Sequence, residues 1–476
     1  MVELLERGDL LARLDAARAE GGRLVFVGGE AGVGKTALVR AFAAGSGTSI
    51  LHGACENLTT PTPFGPFLDL GLDLGDEPRH VAAAVLDELR RTPLLVLEDV
   101  HWADGATLDA LRVLGRRLEA TGALVLATYR DDEIEGDHPL RLVLGELATT
   151  RSVLRLSVPR LTLEAVHVLA EPHGADGDAI HRLTHGNAFY VTEILAAGAE
   201  TLPETVRDAV LARASTLDPA ARRLLDVVSV IPARAELWLL EEMTDGELEA
   251  LDLCLASGVL HADGDGVAFR HELARLAVES AVAPHRRRAL HGQILTALVP
   301  TDDVARLAHH AEEAGDAAAV LEYAPAAARR AAGASAHREA AAQYERALRY
   351  ADGLPPDVRA FLLGEYAEEA HLIGRYEVAA EARLEAIEHY RGLGDTLRQG
   401  DLLARLPTTY VALGRNAEAE AASLDAIELL EQLPGGAELV SAYCMQASLR
   451  MLNRDNADGV VWGERALAAA EALDNE

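Results

Sequence analysis

The stretch LVFVGGEAGVGKTALV, residues 24–39, decides the fold of the N-terminal part of this chain. Its first four residues are apolar and include β-branched and aromatic side chains, which predicts a short buried strand, and a helical pattern begins at Thr36. Between them, residues 29–36 match the pattern GxxxxGK[ST] in full. A strand before the glycines and a helix after them form the context that this phosphate-binding motif requires. The segment therefore predicts a P-loop at the start of an α/β domain.

The residue types of the loop explain how it would hold a nucleotide. Gly29, Gly32 and Gly34 allow backbone conformations that turn successive N–H groups inward, and the N-terminus of the helix adds a partial positive charge. In this motif the ammonium of Lys35 reaches the β- and γ-phosphates, and the hydroxyl of Thr36 ligates Mg²⁺. Within this segment, Ala31, Val33 and Ala37 are the other residues predicted to contact ATP or ADP.

The use of lysine supports this interpretation. Lys35 is the only lysine in a chain that has 44 basic residues. Every other cation is arginine, which indicates that the chemistry at this position needs a compact ammonium and not a guanidinium fork. The alternative is a glycine-rich turn that binds no nucleotide, and it explains neither the full motif nor the acidic residues that follow.

Residues 94–111, LLVLEDVHWADGATLDAL, contain the acids that a P-loop magnesium site needs from a neighbouring parallel strand. We predict Glu98 and Asp99 as the catalytic Walker B pair, with Glu98 and Thr36 as metal ligands and Asp99 as the base that activates water. The usual order is Asp-Glu, so the base here is one methylene shorter. We expect slow hydrolysis, because a base must lie within about 2.6–3.2 Å of the water or act through one bridging water. Asp104 precedes a helical pattern, which predicts an N-cap.

A chain of 476 residues is too long for one hydrophobic core and predicts about three domains. Five apolar runs with helical material between them predict a doubly wound parallel α/β domain over residues 1–157. In addition to the two runs described above, strands are predicted at 49–54, 123–130 and 152–158.

Arg130 ends one of these strands at a position from which its side chain can reach the γ-phosphate. It would distinguish ATP from ADP; the alternative is a surface arginine paired with Asp131 or Asp132. His101 and Trp102 follow the Walker B acids, and they either pack beneath the site or face the nucleotide.

Composition and charge exclude several classes of function. The net charge of −32 opposes binding to the phosphate backbone of nucleic acids, and no stripe of basic residues interleaved with aromatics offsets it. Three widely spaced cysteines indicate neither a disulfide framework nor a CxxC metal site. The sequence has no uncharged apolar run long enough for a membrane span and no N-terminal leader pattern. We therefore expect a cytoplasmic protein that does not bind membranes.

After about residue 295, alanine-rich amphipathic helices replace the strand patterns. An Ala-Leu or Ala-Ile dipeptide recurs about every 40 residues, and the segments LIGRYEVAAEA and VALGRNAEAEA lie at matching places. This spacing predicts tetratricopeptide-like helix pairs over 296–476, which would stack into a concave binding surface. The recurring dipeptides are Ala347-Leu348, Ala386-Ile387, Ala426-Ile427 and Ala466-Leu467.

Together these motifs resemble the STAND class of signalling ATPases, and most closely the large ATP-binding LuxR-type bacterial regulators related to the maltose activator. The segments that carry the resemblance are GGEAGVGKT, LVLEDVHWADGATLDAL, ATYRDDE, VPRLTLEAV, LTHGNAFYVTEIL and LPETVRDAVLAR. They follow one another as in that family. The resemblance implies a nucleotide-binding domain at 1–157, a helical lid at 158–215, a winged-helix domain at 216–295, and the repeats at 296–476 as the sensor.

The resemblance also implies roles for single residues. Lys35 and Thr36 would contact phosphate and magnesium, as the motif itself predicts. His271 in VAFRHELAR is similar to the histidine through which the winged-helix domain touches ADP in the closed state, although a purely structural histidine is the alternative. Arg7, in a segment that matches loosely, is a candidate contact near the adenine. Ala188 stands where the family usually has proline, so the contact of the lid with the base stays open.

The hypothesis that follows is an ATP/ADP-controlled switch of a transcriptional regulator. ADP would hold it closed; an unknown inducer or protein at the repeats would open it, and ATP-bound protomers would self-associate until slow hydrolysis resets them. Acids outnumber basic residues in 216–295, which favours a hinge module over a DNA reader. Because the chain ends soon after the second helix of a repeat, we expect a fragment of a longer regulator, and DNA binding only through a missing C-terminal effector.

Two other classes of protein remain as alternatives. One is an AAA-type motor or DNA-loading ATPase, which rapid, polymer-stimulated turnover would favour. The other is an interaction scaffold with a structural nucleotide that never exchanges.

Overall fold

The computed structural model describes residues 4–58, 60–75, 77–134, 136–197, 206–244 and 248–474. The chain divides into two compact units, Met1–Ala319 and Val320–Glu476. Among the residues that the structure describes, no helix combines the length and the apolar character needed to cross a membrane.

The first unit begins with a parallel sheet of five strands in the order β2-β3-β4-β1-β5. The central strands carry near-continuous apolar sequences because helices cover both faces of a parallel sheet. The five predicted strands are therefore confirmed, with shorter bounds. They are β1 (Arg23–Gly28), β2 (Leu51–Ala54), β3 (Leu94–Glu98), β4 (Leu124–Thr128) and β5 (Val153–Ser157).

Six helices accompany this sheet, and the second of them begins directly after the P-loop. The hydrophobic core of the domain joins the strands to the first two helices through buried residues such as Leu14, Val25, Leu38 and Leu126. The helices are α1 (Gly8–Glu20), α2 (Lys35–Ser46), α3 (Gly65–Leu68), α4 (Pro78–Glu88), α5 (Gly105–Arg117) and α6 (Pro139–Glu146).

Short helices follow the sheet, as predicted for the lid region. Three of them share a core of residues such as Val166, Ile180 and Val191. Part of the predicted LPETVRDAVLAR segment, at 202–205, lies outside the described residues. The helices are α7 (Leu163–Ala170), α8 (Gly177–Thr184), α9 (Ala188–Ala197) and α10 (Val206–Ser215).

The next part of the first unit contains a small antiparallel sheet of three strands in the order β6-β8-β7. We call residues 219–269 the three-stranded module. Its elements are α11 (Pro219–Ser229), β6 (Ala235–Glu236), α12 (Leu237–Met243), α13 (Glu249–Ala256), β7 (Leu260–Asp263) and β8 (Gly266–Phe269). Three helices follow it: α14 (Glu272–Ala281), α15 (Pro284–Leu298) and α16 (Val304–Ala314).

The second unit is helical, which confirms the predicted change from an α/β to an α architecture. The turns in the two matching segments contain Gly374 and Gly414 at φ values of 80° and 71°, the left-handed region in which glycine carries no penalty. Each recurring alanine is buried: Ala347, Ala386, Ala426 and Ala466. The helices, counted from α17 at the boundary of the units, are α17 (Ala317–Gly333), α18 (His337–Leu348), α19 (Pro356–Leu372), α20 (Tyr376–Leu393), α21 (Thr396–Ala412), α22 (Asn416–Leu430), α23 (Ala437–Leu452) and α24 (Asn456–Asp474).

Asp104 is the N-cap of α5, as its sequence context predicts. Its Oδ1 accepts a hydrogen bond from the N–H of Thr107 at 2.9 Å. Its Oδ2 accepts a second one from the N–H of Phe64 at 3.1 Å. The buried carboxylate thus satisfies two backbone donors from different segments and fixes the start of the helix behind the Walker B strand.

We expect Asp104→Ala to destabilise the chain by about 2–3 kcal/mol, because it removes an N-cap and leaves the buried N–H of Phe64 without its acceptor. The shift of the urea unfolding midpoint measures this effect. Asp176→Ala is the matched control, since Asp176 caps α8 through a 3.1 Å bond to Ala179 at an exposed position. Equal midpoint shifts for the two variants would contradict the structural role of Asp104.

Candidate nucleotide-binding site

The P-loop connects β1 to α2 through a backbone that only glycine adopts without strain. Gly29, Gly32 and Gly34 have φ values of 150°, 76° and 106°. A Cβ atom at Gly29 would lie 2.9 Å from the carbonyl oxygen of Val158, so a side chain there would also clash. The sequence prediction that these three glycines shape the loop is consistent with this geometry.

Lys35 is buried at the base of the loop. Its Nζ donates to the carbonyl oxygens of Gly29 at 2.6 Å and of Glu30 at 2.8 Å. Burial lowers the pKa of Lys35, and the carboxylate of Asp99 opposes that effect. The one ammonium of the chain is therefore held close to the loop backbone, beside the Walker B acids.

Thr36 and Glu98 come together as the predicted metal ligands should. The hydroxyl of Thr36 donates to Oε2 of Glu98 at 2.8 Å. Parallel pairing brings the two groups together, because β4 lies between β1 and β3 and all three strands end at the same edge of the sheet. A hydroxyl and a carboxylate beside a phosphate cradle fit Mg²⁺, which prefers oxygen ligands and takes one or two carboxylates together with substrate phosphates.

His52 is a residue of this site that sequence reasoning missed. Its Nε2 lies 3.1 Å from Oε1 of Glu98, and this hydrogen bond raises the pKa of His52. Burial alone would raise the pKa of Glu98, but the bond to His52 and the nearby charge of Arg40 hold it below its ordinary value. The signal was present in the strand pattern, since a histidine in the middle of the predicted strand 49–54 is out of place in an apolar run.

Asp99 follows β3 in a left-handed backbone conformation, with φ at 55°. This is uncommon for a residue with a side chain, and such conformations concentrate at functional sites. The N–H of Asp99 donates to the hydroxyl of Thr128 at 2.9 Å, which fixes the turn. Burial raises the pKa of its carboxyl to about 6; Arg130 opposes this shift and Glu98 adds to it. A carboxyl with this pKa is suited to accept a proton near neutral pH.

Arg130 is buried beside these acids. Its guanidinium forms an ion pair with Glu133 and lies 4.6 Å from the ring centre of Trp102. The carboxylate that pairs with Arg130 is thus that of Glu133, and not that of Asp131 or Asp132 as the alternative predicted. Trp102 packs against this guanidinium and also lines the cavity of the site. His101 is buried, and its burial is the main reason that its pKa falls to about 2.

The segment that begins α9 lies directly on the P-loop. Asn187 Nδ2 donates to the carbonyl oxygen of Ala31 at 2.8 Å. The N–H of Phe189 donates to the carbonyl oxygen of Gly32 at 2.9 Å. A Cβ atom at Gly32 would lie 2.8 Å from Cβ of Phe189, so glycine is needed for this approach as well. Ala188 lies between these two residues, both of which bind the loop backbone through hydrogen bonds.

The region around the three-stranded module closes the other side of the site. The ring of His271 lies 4.2 Å from that of Phe189, and burial lowers the pKa of His271 to about 3. Arg40, on the helix after the P-loop, donates to Nε2 of His261 at 2.9 Å. Asn57 donates to Glu272 Oε1 at 3.1 Å. We call these three contacts the latch: Phe189–His271, Arg40–His261 and Asn57–Glu272.

Arg7 does not line the cavity that the P-loop and the Walker B acids border. Its guanidinium donates to the carbonyl oxygens of Val33 at 3.2 Å and Pro159 at 2.7 Å, and only 3% of the residue is exposed. It supports the back of the loop, and a direct contact with adenine stays a prediction. Gly29 and Val33 also do not line the cavity.

The remaining predicted site residues surround one cavity of about 590 Å³. This volume lies within the range of small-molecule sites. P-loop and Walker B residues line one side, and residues 268–273 line the other. The predicted site residues that line it are Ala31, Gly32, Gly34, Lys35, Thr36, Ala37, Glu98, Asp99, Arg130 and His271.

Comparison with known proteins supports the ATPase interpretation of the first domain. Residues 5–90 match the family model described as AAA ATPase domain. This match covers the P-loop and confirms the ATPase part of the predicted resemblance.

One curated relative is an uncharacterized protein from Rhizobium meliloti (strain 1021), which is 26% identical over 262 residues. That similarity covers 48% of this chain and 25% of the relative. The chain therefore spans about a quarter of the length of the curated relative that it matches.

Two solved structures are similar at low identity. One is a Signal Transduction ATPase with Numerous Domains (STAND) protein with a tetratricopeptide repeat sensor from Pyrococcus horikoshii: 14% identical, 98% of this chain and 83% of that chain covered, TM-score 0.47. The other is BtubC from P. vanneervenii: 17% identical, 43% of this chain and 88% of that chain covered, TM-score 0.32.

Lys35→Ala should abolish the binding of ADP, because it removes the ammonium that the phosphates need. With ADP and Mg²⁺ at about 100 times the dissociation constant, ligand binding should stabilise the wild-type chain by about 2.7 kcal/mol, and the variant should gain nothing. Thermal unfolding with and without ADP measures the difference. The control is Arg160→Ala, which removes a cation paired with Glu30 of the same loop. Loss of the ADP effect in the control, or its survival in Lys35→Ala, would contradict the assignment.

Asp99→Asn and Glu98→Gln should separate the two Walker B roles. We expect Asp99→Asn to keep the affinity for Mg²⁺ and ATP and to lower single-turnover hydrolysis roughly 100-fold or more, since it removes the base. Glu98→Gln should raise the Mg²⁺ concentration needed for half-maximal hydrolysis. Asp131→Asn, an exposed acid near the same edge, should change neither quantity. Fast hydrolysis by Asp99→Asn would show that another group is the base.

Proposed function

We propose that this chain is an ATP/ADP-dependent signalling switch in which slow hydrolysis resets the active state. The observation that carries the proposal is the composition of the cavity wall. Phosphate-binding and Walker B residues form one side, and residues at the end of the three-stranded module form the other. A change in the nucleotide would therefore act directly on the contact between the ATPase domain and the module.

The latch defines what the closed state would be. Each of its three contacts joins a residue of the ATPase domain or lid to a residue in or directly after the three-stranded module. Two of them lie beside functional groups, since Arg40 follows Thr36 by four residues in α2 and Phe189 binds the P-loop backbone. Movement of the loop or of α2 would thus disturb the latch. This supports a closed state held by ADP, with opening when the γ-phosphate occupies the site.

The residues of the site divide the chemistry among themselves. The loop backbone and Lys35 would bind the phosphates of ATP, and Arg130 would contact the γ-phosphate and report its presence. Asp99 would orient the attacking water and accept its proton. Thr36 and Glu98 would hold Mg²⁺, which neutralises charge on the phosphate oxygens when bound. Because Asp99 has a short side chain, we propose slow turnover, as in a switch and not in a motor.

We assign domains on the same basis. The four short helices before the three-stranded module form the lid at 158–215, and the order of helices and strands in the module supports a winged-helix domain at 216–295. The region from 296 to 476 would be the sensor, where tetratricopeptide-like repeats bind an inducer or a protein. Self-association of ATP-bound protomers and a role in transcription regulation, through an effector outside this chain, complete the proposal.

His271→Ala should weaken the closed state. Loss of the ring contact with Phe189, worth roughly 0.5–1.5 kcal/mol, should speed the release of a fluorescent ADP analogue roughly three- to tenfold. Stopped-flow measurements on the full chain test this expectation. His285→Ala is the matched control, because His285 is an exposed histidine in α15 that takes no part in the latch.

A second measurement tests the switch itself. Purified protein is denatured and the released nucleotide identified; light scattering then gives the mass with ADP and with a non-hydrolysable ATP analogue. We expect bound ADP, a monomer with ADP, and assemblies of His271→Ala with the ATP analogue. The same mass in both nucleotide states for this variant, or no nucleotide in any state, would contradict the proposal.

A further inference from the structure

Three histidines that do not line the nucleotide-binding cavity come together. His291 lies in α15, and His309 and His310 are consecutive in α16. The rings of His291 and His310 are buried, with 2% and 0% of these residues exposed, and His309 is half-buried. The proposed switch uses none of them.

The three rings form a compact triangle. Their centres are separated by 5.1 Å for His291 and His310, 5.8 Å for His291 and His309, and 5.0 Å for His309 and His310. One ring nitrogen from each lies within 4.8 Å of the others. The Nδ1 atoms of His291 and His310 are 2.9 Å apart.

Two of the rings are held in the neutral state that binds metals. Burial lowers the pKa of His291 to about 3 and lowers that of His310 as well, and the neighbouring His309 acts in the same direction. Neutral imidazole has a lone pair available for a metal ion. The two Nδ1 atoms that face each other across 2.9 Å are therefore the nitrogens available to one shared ion.

We propose that His291, His309 and His310 bind a divalent transition-metal ion of the zinc type. Zinc binds imidazole nitrogen at about 2.0–2.1 Å, which places each ring centre roughly 3.2 Å from the ion. Tetrahedral geometry then separates the ring centres by about 5.2 Å. The observed separations of 5.0 to 5.8 Å bracket this distance, and the two Nδ1 atoms need to move apart by only a few tenths of an ångström.

The ligand set separates this site from the magnesium site of the P-loop. Imidazole nitrogen suits zinc, copper, iron or nickel, whereas magnesium takes oxygen ligands. Three protein ligands leave the fourth tetrahedral position for water or a further ligand, as in zinc sites that exchange ligands. The half-buried His309 is the member of the triangle that solvent reaches.

The arginines near the three histidines oppose a bound metal ion less strongly than their number suggests. Three arginines act on these rings: Arg287 and Arg275 on His291, and Arg306 on His310. Arg275 is paired with Glu272 and Glu279, and Arg306 is paired with Glu236 at 2.7 Å. The charges of Arg275 and Arg306 are therefore largely compensated by partners, and Arg287 is the remaining cation that opposes a metal ion at His291.

The position of the site predicts what the ion would do. It would cross-link α15 to α16 across the connection at 299–303. The pair formed by Arg306 and Glu236 already ties α16 to the end of β6 in the three-stranded module. A metal ion would thus fix α16 against both α15 and the module, which makes the first unit more resistant to unfolding when the ion is bound.

The test uses the full chain without an affinity tag, stripped with a chelator and held in excess Mg²⁺ and ADP so that the P-loop site is saturated. Titration with Co²⁺, followed by its visible ligand-field absorption, should show one tetrahedral ion per chain, and Zn²⁺ should displace it. Thermal unfolding should shift upward with one equivalent of Zn²⁺.

Three variants complete the experiment. His309→Gln, at a half-buried position, should weaken Co²⁺ binding roughly tenfold or more, and His310→Ala should abolish it. His285→Ala, an exposed histidine of α15, should bind Co²⁺ as the wild type does. Circular dichroism and the ADP-induced thermal shift check that each variant folds. No stoichiometric Co²⁺ or Zn²⁺ binding by the wild-type chain, or unchanged binding by folded His309→Gln, would show that the rings form only a neutral hydrogen-bonded cluster.

Discussion

The hydrogen bond between Thr36 and Glu98, 2.8 Å long, is the interaction on which the rest of the site depends. It joins the helix after β1 to the end of β3, two strands that are separated by β4 in the parallel sheet. Because parallel strands end at the same edge, this arrangement also brings Asp99 and Arg130 to the mouth of the loop. The lack of a side chain at Gly32 then lets the segment that begins α9 approach so closely that Asn187 and Phe189 bind the loop backbone.

Local sequence patterns were sufficient for much of this architecture. The P-loop, the Walker B strand and the Asp104 cap each depend on residues within one strand, turn or helix, where periodicity and side-chain chemistry carry the information. The contacts of His52 and the three contacts of the latch join segments 46 to more than 200 residues apart. A local sequence pattern cannot predict contacts between segments so far apart in the chain. Arg7 illustrates the same limit, since its partner Pro159 lies 152 residues away in the chain.

The neighbours of Glu98 keep its carboxylate charged although it is buried. Glu98 stays acidic because His52 and Thr36 donate to its two oxygens, whereas the pKa of Asp99 rises to about 6 because its burial is less fully compensated. Adjacent carboxyls in one turn thus acquire different proton affinities, which is the condition for one to bind a cation while the other accepts a proton. The reversed Glu-Asp order matters less, on this view, than the separate environments of the two residues.

The strength of the latch is consistent with a switch. Its aromatic contact and two hydrogen bonds should each stabilise the closed state by roughly 0.5–1.5 kcal/mol, or about 2–4 kcal/mol together. Converting a population of 1:99 to 99:1 requires a difference of about 5.5 kcal/mol in ligand binding between the two states. In the proposed switch, a latch of this size would leave the closed state dominant in the absence of a signal, and a γ-phosphate beside Arg130 together with a ligand at the repeats would supply the difference that opens it. A much stronger latch would keep the proposed switch closed and leave no use for the proposed base at Asp99.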